Sequence, residues 1–258
     1  MEPTVWPNVV RPMLLGRGGR SLFLSTPRGY NWFYELFKYG LGDDLEWMSF
    51  RFQSDANPAV TLDELRTVRR TTSDRVYREE YLAEFIGDSG QVFRGIHEAA
   101  TAPMRAEPLP GRVYVAGVDW GRDHDYTAVA VIDAATGAMV LLDRFRGTSW
   151  SLIRERLRAV DARWGLAVMW AEANSIGAVN IESLQEAGVP VRAFHTTGRS
   201  KGPLIEGLAL AIESRGIALL PEPILLRELA AYGLERLPGG GYRYSAPAGG
   251  HDDTVIAT

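Results

Sequence analysis

No cysteine occurs among the 258 residues, which excludes disulfide bridges and thiolate metal sites and fits a reducing compartment. No apolar run reaches the ~20 residues needed to cross a bilayer. The N-terminus lacks the basic-then-apolar pattern of a secretion signal. Membrane insertion and secretion are therefore not expected. An excess of positive charge is missing too. The formal net charge is -4, so any nucleic-acid surface has to be local rather than global. Internal repeats are absent. What remains is an ordinary globular composition, 46% hydrophobic and 23% charged, long enough for one large domain or two modest ones.

The pattern centres on Val113 to Asp119, an apolar run that ends on a carboxylate. A polar loop with Asp123, His124 and Asp125 follows, then apolar runs from Thr127 to Ile132 and from Met139 to Phe145. Three such runs with short gaps predict an antiparallel meander. Upstream, Ser21–Ser25 and Trp47–Phe52 read as short strands. Trp32, Phe33, Leu36 and Phe37 fall at helical spacing, and Thr61 to Arg70 and Ser73 to Phe85 read as helices. Residues 96–112 hold three prolines at 103, 108 and 110 and read as a linker, with the domain boundary there. Downstream, Ser149 is placed to cap a helix with Trp150, Ile153, Leu157, Val160 and Trp164 on one face. Leu166–Ala171 is a strand ending at Glu172. Asn174 or Ser175 caps the next helix, and Gly188 closes it. Val189–Phe194 and Ile217–Leu220 read as strands, and helices are expected at Leu204–Ile212 and Ile224–Glu235. Gly239–Gly241 begins or turns a hairpin, and Asp252 and Asp253 open a last helix. Strands followed by alternating helices and strands describe a mixed α/β sheet flanked by helices.

Three acidic positions fall at element ends: Asp119, Glu172 and the pair Asp252–Asp253. If the fourth strand lies beside the first, Asp119 and Glu172 emerge at the same edge, and the last helix can bring a third carboxylate. Clustered carboxylates repel and need cations. Oxygen ligands favour Mg²⁺ or Mn²⁺, and two such ions ~3.5–4 Å apart serve phosphodiester cleavage. The plainer alternatives are a turn cap for Asp119 and helix caps for Asp252 and Asp253.

The order of these pieces resembles the nuclease domain of phage large terminase subunits, which has the ribonuclease H-like fold. The matching pieces are Gly117–Gly121 with Asp125–Ala128, then Ala171–Gly177, and His251-Asp252-Asp253. The resemblance implies a two-metal DNA endonuclease in which Asp119, Glu172 and Asp252 are catalytic and bind Mg²⁺ or Mn²⁺. Asp253 is a rival or fourth ligand, Asp125 a further candidate from the loop, and His251 a lesser one. Upstream, Ser25–Gly29 resembles the coupling motif of the terminase motor ATPase, and Glu79–Phe85 with Gln91–Phe93 resembles the end of that domain. Residues 1–95 are accordingly read as the C-terminal portion of a packaging ATPase domain, a partial P-loop remnant, and 113–258 as the nuclease domain. Gly16-Arg17-Gly18-Gly19-Arg20 lacks the Lys of a phosphate-cradling loop and a strand before it. ATP hydrolysis by this chain alone is not expected. The chain is read as starting inside the ATPase domain, and its end at Thr258 as early.

By the same resemblance, partners are double-stranded DNA, a portal protein and a small terminase subunit in the host cytoplasm. Homo-oligomers are expected only with a full ATPase domain. Arg122, Arg199, Lys201 and Arg243, with Arg192, are candidate DNA contacts near the metal edge; each is also readable as a solvated surface cation. Trp150 and Trp164 are read as core. Two rival readings are an actin- or sugar-kinase-like phosphotransferase and a catalytically silent docking fragment of a packaging complex.

Overall fold

The computed structural model describes residues 4–258 except 17, 88, 122–124, 174–176 and 238–241, and describes 89, 198, 199 and 236 by backbone alone. The chain forms two compact units, Met1–Asp88 and Ser89–Thr258.

In the first unit a turn at Trp6–Val10 leads into α1 (Arg11–Leu14), followed by α2 (Trp32–Tyr39), α3 (Leu62–Thr71) and α4 (Asp74–Glu80). The Asn31 side chain caps α2 by accepting from the Phe33 and Tyr34 amides. Thr61 and Glu64 close a reciprocal capping box on α3. Two expected strands do not form. Segments 21–25 and 47–52 belong to neither sheet. Their apolar side chains Leu22, Leu24, Met48, Phe50 and Phe52 are exposed, so they lack the buried face that stabilises a strand. The helix expected to Phe85 stops at Glu80, because Ala83 takes a left-handed φ of 50° that a helix excludes.

The second unit opens with β1 (Ser89–Gln91) and α5 (Ile96–Ala99). It continues with β2 (Tyr114–Asp119), β3 (Thr127–Asp133), β4 (Ala138–Phe145), α6 (Trp150–Trp164) and β5 (Leu166–Glu172). Then come α7 (Gly177–Glu186), β6 (Val191–Phe194), α8 (Gly198–Glu213) and α9 (Pro223–Ala231). The unit ends with β7 (Gly233–Arg236), β8 (Tyr242–Ser245) and α10 (Asp253–Ala257). The main sheet has the order β4-β3-β2-β5-β6. The meander β2-β3-β4 is antiparallel, and β5 and β6 are added parallel to β2. This is the mixed, ribonuclease H-like arrangement with flanking helices. A second sheet, β1-β7-β8, is antiparallel.

Two apolar layers sandwich the main sheet. On one face Tyr114, Ala116 and Val118 pack with Ile153, Leu157 and Trp164 of α6 and Ile181 and Leu184 of α7. On the other, Ala128, Ala130 and Met139 pack with α8, α9 and α10 through Ile205, Ala209, Leu225, Leu229 and Val255.

Residues 96–112, read as a linker, belong instead to this second unit, which begins at Ser89. Phe93, Ile96, Ala99 and Ala102 are buried. The Ala102 amide donates to the Leu219 carbonyl at 3.0 Å, and the Leu219 amide to the Ala99 carbonyl at 2.7 Å. Prolines break regular structure without preventing packing, and within the segment Ile96, Ala99 and Ala102 dock it into the core. The strand expected at 217–220 is reduced to a bridge between Ala138 and Ala218. The helix expected to Glu235 ends at Ala231, and β7 takes over to pair with β1 and β8. The proposed caps Asn174 and Ser175 and the glycines of the hairpin turn lie outside the described residues; the expected second arm, with Tyr242 and Tyr244, pairs with β7.

Gly117 fixes how the last helix docks. Tyr114, Ala116 and Val118 face α6, so alternation points Gly117 and Asp119 to the opposite face. A Cβ at Gly117 would collide with the carbonyl oxygen of Ala257, so α10 lies directly on the strand backbone. Gly117→Val is expected to cost about 1–3 kcal/mol by overpacking. It should lower Tm by several degrees and release the α10 amides first, read by thermal unfolding and hydrogen exchange. Unchanged α10 protection would contradict this docking.

Candidate functional site

The pleat that aims Asp119 away from α6 does the same for Glu172, since Met169 and Ala171 lie in the α6 layer. Because β2 and β5 are adjacent and parallel, both carboxylates emerge on one face at one edge. Trp120 ties the two strand ends together: its Nε1 donates to the Glu172 carbonyl at 2.8 Å, and its ring meets Trp150 edge to face. The Thr127 hydroxyl exchanges hydrogen bonds with the Gly121 amide and carbonyl, both at 3.2 Å, closing the loop that carries Asp125.

Helix α10 delivers the remaining acids. Asp252 occupies its N-cap position without a side-chain capping bond, and Asp253 opens its first turn. The plainer alternative that Asp252 merely caps the helix therefore fails. The carboxylates of Asp253, Glu172, Asp252 and Asp125 all lie within electrostatic reach of Asp119. Burial holds the Asp119 carboxyl well above the usual range, and the charges of Asp253, Glu172, Asp252 and Asp125 push it the same way. Burial and the neighbouring Asp125 push Asp253 up to about 7, against the opposing pull of Arg144. Asp125, at the solvent side, is pushed up by its partial burial but held low on balance by hydrogen bonds with Asp253, the Tyr126 amide and His251.

Asp125, His251 and Asp253 offer ligand atoms within 4.8 Å of one another. His251 Nδ1 lies 3.2 Å from Asp125 Oδ1 and 3.8 Å from Asp253 Oδ2. Hard oxygen donors with one imidazole, crowded enough that two carboxyls are pushed toward the neutral form, fit a divalent cation. Lys201 Nζ stands 3.6 Å from Asp252 Oδ2 and over the Tyr232 ring. Arg243 is exposed on β8, in the smaller sheet. Arg122 and the Arg199 side chain lie outside the described residues. Arg192 is exposed, with its guanidinium 5.8 Å from the Trp170 ring. Trp164 is buried core, as expected, and Trp150 packs partly buried against the same layer.

Three residues at this site escaped the reading of the sequence. Arg144 on β4 places its guanidinium 3.4 Å over the Tyr126 ring and bonds both Glu228 and Asp253. Glu228 of α9 is buried. Tyr232 is fully buried, its hydroxyl without a partner among the described residues, and burial with the charges of Asp252 and Asp119 raises its pKa. A strand arginine and a helix glutamate in unrelated parts of the chain carry no local signal of their pairing.

A mixed sheet of this order, with acids gathered where its central strands end, defines a ribonuclease H-like α/β domain. No family model matches the sequence. The large terminase subunit of Thermus virus P23-45 is 31% identical over 98% of this chain and 57% of its own length; the chain thus spans little more than half of that relative. The large terminase nuclease of the thermophilic phage G20c, crystallised with bound magnesium, is 28% identical, with a TM-score of 0.60 over 65% of this chain and 93% of that one. The same nuclease has been crystallised with cobalt and with zinc. The large terminase of a further thermophilic bacteriophage shares the fold over 97% of this chain and 64% of its own, with a TM-score of 0.67 at 16% identity. This chain is similar to phage large terminase subunits along nearly its whole length, and it contains the fold of the nuclease domain solved for the phage G20c relative.

The raised Asp253 pKa sets a pH signature. Unfolded, this carboxyl ionises near 3.8; folded and metal-free, near 7. The folded state binds the extra proton, so ionising Asp253 lowers stability as pH rises between those values. In chelator, Asp253→Asn is expected to gain stability relative to the native chain from about pH 4 to pH 7, with Mg²⁺ abolishing the gain. Thermal unfolding of both proteins across that range, with and without Mg²⁺, checks it; a pH-independent difference would refute it.

Proposed function

We propose that this chain is a metal-dependent endonuclease that cuts double-stranded DNA during packaging of a viral genome. The observation carrying this reading is the convergence of Glu172, Asp252, Asp253 and Asp125, drawn from three distant parts of the chain, around the buried carboxyl of Asp119. A structural cluster is normally paired charge for charge; here Asp119 and Asp253 are still pushed toward the neutral form on balance.

Asp119, Glu172 and Asp252 are the proposed catalytic acids, and with Asp253 and Asp125 they would hold two Mg²⁺ or Mn²⁺ ions. The chemistry such ions would supply when held there is polarisation of a phosphodiester and charge stabilisation at its attacking and leaving oxygens. The chain's own residues fix the ligand positions: the parallel β2–β5 pair sets Asp119 against Glu172, and α10 sets Asp252 and Asp253. His251 stands beside Asp125 at the solvent side, its Nδ1 3.2 Å from Asp125 Oδ1. Lys201 and Arg243 are proposed phosphate contacts, with Arg122 and Arg199 added from the sequence. Residues before Ser89 are read as the C-terminal portion of a packaging ATPase domain that does not hydrolyse ATP alone. Portal protein and small terminase subunit are the proposed partners, inside the host cell.

The test is plasmid DNA incubated with purified protein and Mn²⁺. The native chain is expected to nick and linearise it, and Asp119→Ala and Glu172→Ala to lose about a hundred-fold or more of that activity. Intact plasmid with the native chain would support a silent docking fragment instead. Transfer from labelled ATP in the same tubes would support a phosphotransferase.

A further inference from the structure

Helix α10 has five residues and carries two of the proposed ligands. A helix this short has no stability of its own, so its position depends on what grips it. The contact over Gly117 fixes its far end. In its first turn Val255 packs into the core, Arg144 holds Asp253, and the buried Glu228 of α9 bonds Thr254.

Both Glu228 oxygens are engaged. Oε2 accepts from the Thr254 amide at 2.9 Å and from the Thr254 hydroxyl at 2.5 Å. Oε1 meets Arg144 Nη2 at 2.9 Å, and the same Nη2 lies 3.1 Å from Asp253 Oδ2. Glu228 thus holds the backbone one residue beyond Asp253 and also the cation that holds the Asp253 carboxylate. Arg144 is itself fixed from another side, stacked 3.4 Å over Tyr126 next to Asp125. Thr254 is fully buried and Asp253 and Glu228 nearly so, so water does not loosen these bonds.

We propose that Glu228 is a positioning residue for the metal site: through Thr254 and Arg144 it sets where Asp252 and Asp253 present their carboxylates, and so sets the affinity for divalent ions. This rests on the metal-dependent reading above. Groups that orient ligands from behind typically change metal affinity by roughly 10–100-fold when removed. Glu228→Gln keeps the shape, loses the charge that balances Arg144, and turns one oxygen into a donor facing a donor.

The test measures Mn²⁺ binding to chelator-stripped protein by the loss of the free-ion paramagnetic resonance signal, beside thermal unfolding. The expected result is a roughly 10–100-fold weaker Mn²⁺ affinity for folded Glu228→Gln. Cleavage by this variant should recover as Mn²⁺ is raised, whereas Asp119→Asn should not recover. A merely structural role would not give a defect that metal rescues. Thr254→Val removes only the hydroxyl bond and is expected to weaken binding by a smaller factor; it decides the matter if Glu228→Gln does not fold. Mn²⁺ affinity unchanged within about two-fold in a folded variant, against the larger loss expected of a group behind the ligands, overturns the proposal while leaving the nuclease reading intact. A native chain that binds no more Mn²⁺ than Asp119→Asn overturns both.

Discussion

Like charges held together against their repulsion are the constraint around which the second unit is arranged. Four carboxylates crowd the buried Asp119, and of their own interactions only the Asp125–Asp253 hydrogen bond favours the arrangement. The apolar layers supply the opposing force. The α6–α7 layer anchors β2 and β5 from behind, and the α8–α10 layer buries Val255 and Ala257 of the last helix. Each fully buried side chain of this kind contributes on the order of 1.5–3 kcal/mol. Burial of the carboxyls, with the charges around them, is then expressed as displaced protonation at Asp119 and Asp253 rather than as unfolding.

The cations at this corner are of two kinds. Arg144 is largely enclosed, bonded to two buried carboxylates and stacked on an aromatic ring. Removing one member of such a set leaves a buried charge uncompensated, a loss of about 3–5 kcal/mol. Lys201 is looser, partly exposed and 3.6 Å from Asp252, in the class of ion pairs worth about 1 kcal/mol or less. Arg144 belongs to the architecture, whereas Lys201 can exchange its partner for a phosphate at little cost.

The strands of the main sheet were legible because their signal is local. An apolar run ending in Asp119, another ending in Glu172 and a Ser149 cap each carry their meaning within a few residues. So did the acids, since element ends are where side chains leave a sheet. The Arg144–Glu228 pair was not legible, because the two sit in unrelated elements and meet only when α9 packs over β4. The segment 96–112 misled for the opposite reason: its prolines are conspicuous, while the buried apolar side chains that dock it are small and spread out. Segments 21–25 and 47–52 show that a strand-like composition is insufficient where no partner strand buries it.

Exposure is graded across the acid group, and the grading gives the site a direction. The Asp253 side chain is 4% exposed, and that of Asp125, which shares His251 with it, is 61% exposed. Glu228, Arg144 and Thr254 back Asp253 from the interior, while Asp125, His251 and Lys201 stand toward solvent. A rigid floor of interlocked buried groups suits the part of a site that must not move. A rim of partly exposed, weakly paired groups suits the part that must release its contacts when a ligand arrives. The same packing that brings the carboxylates together therefore also divides them into an enclosed side and a side toward solvent.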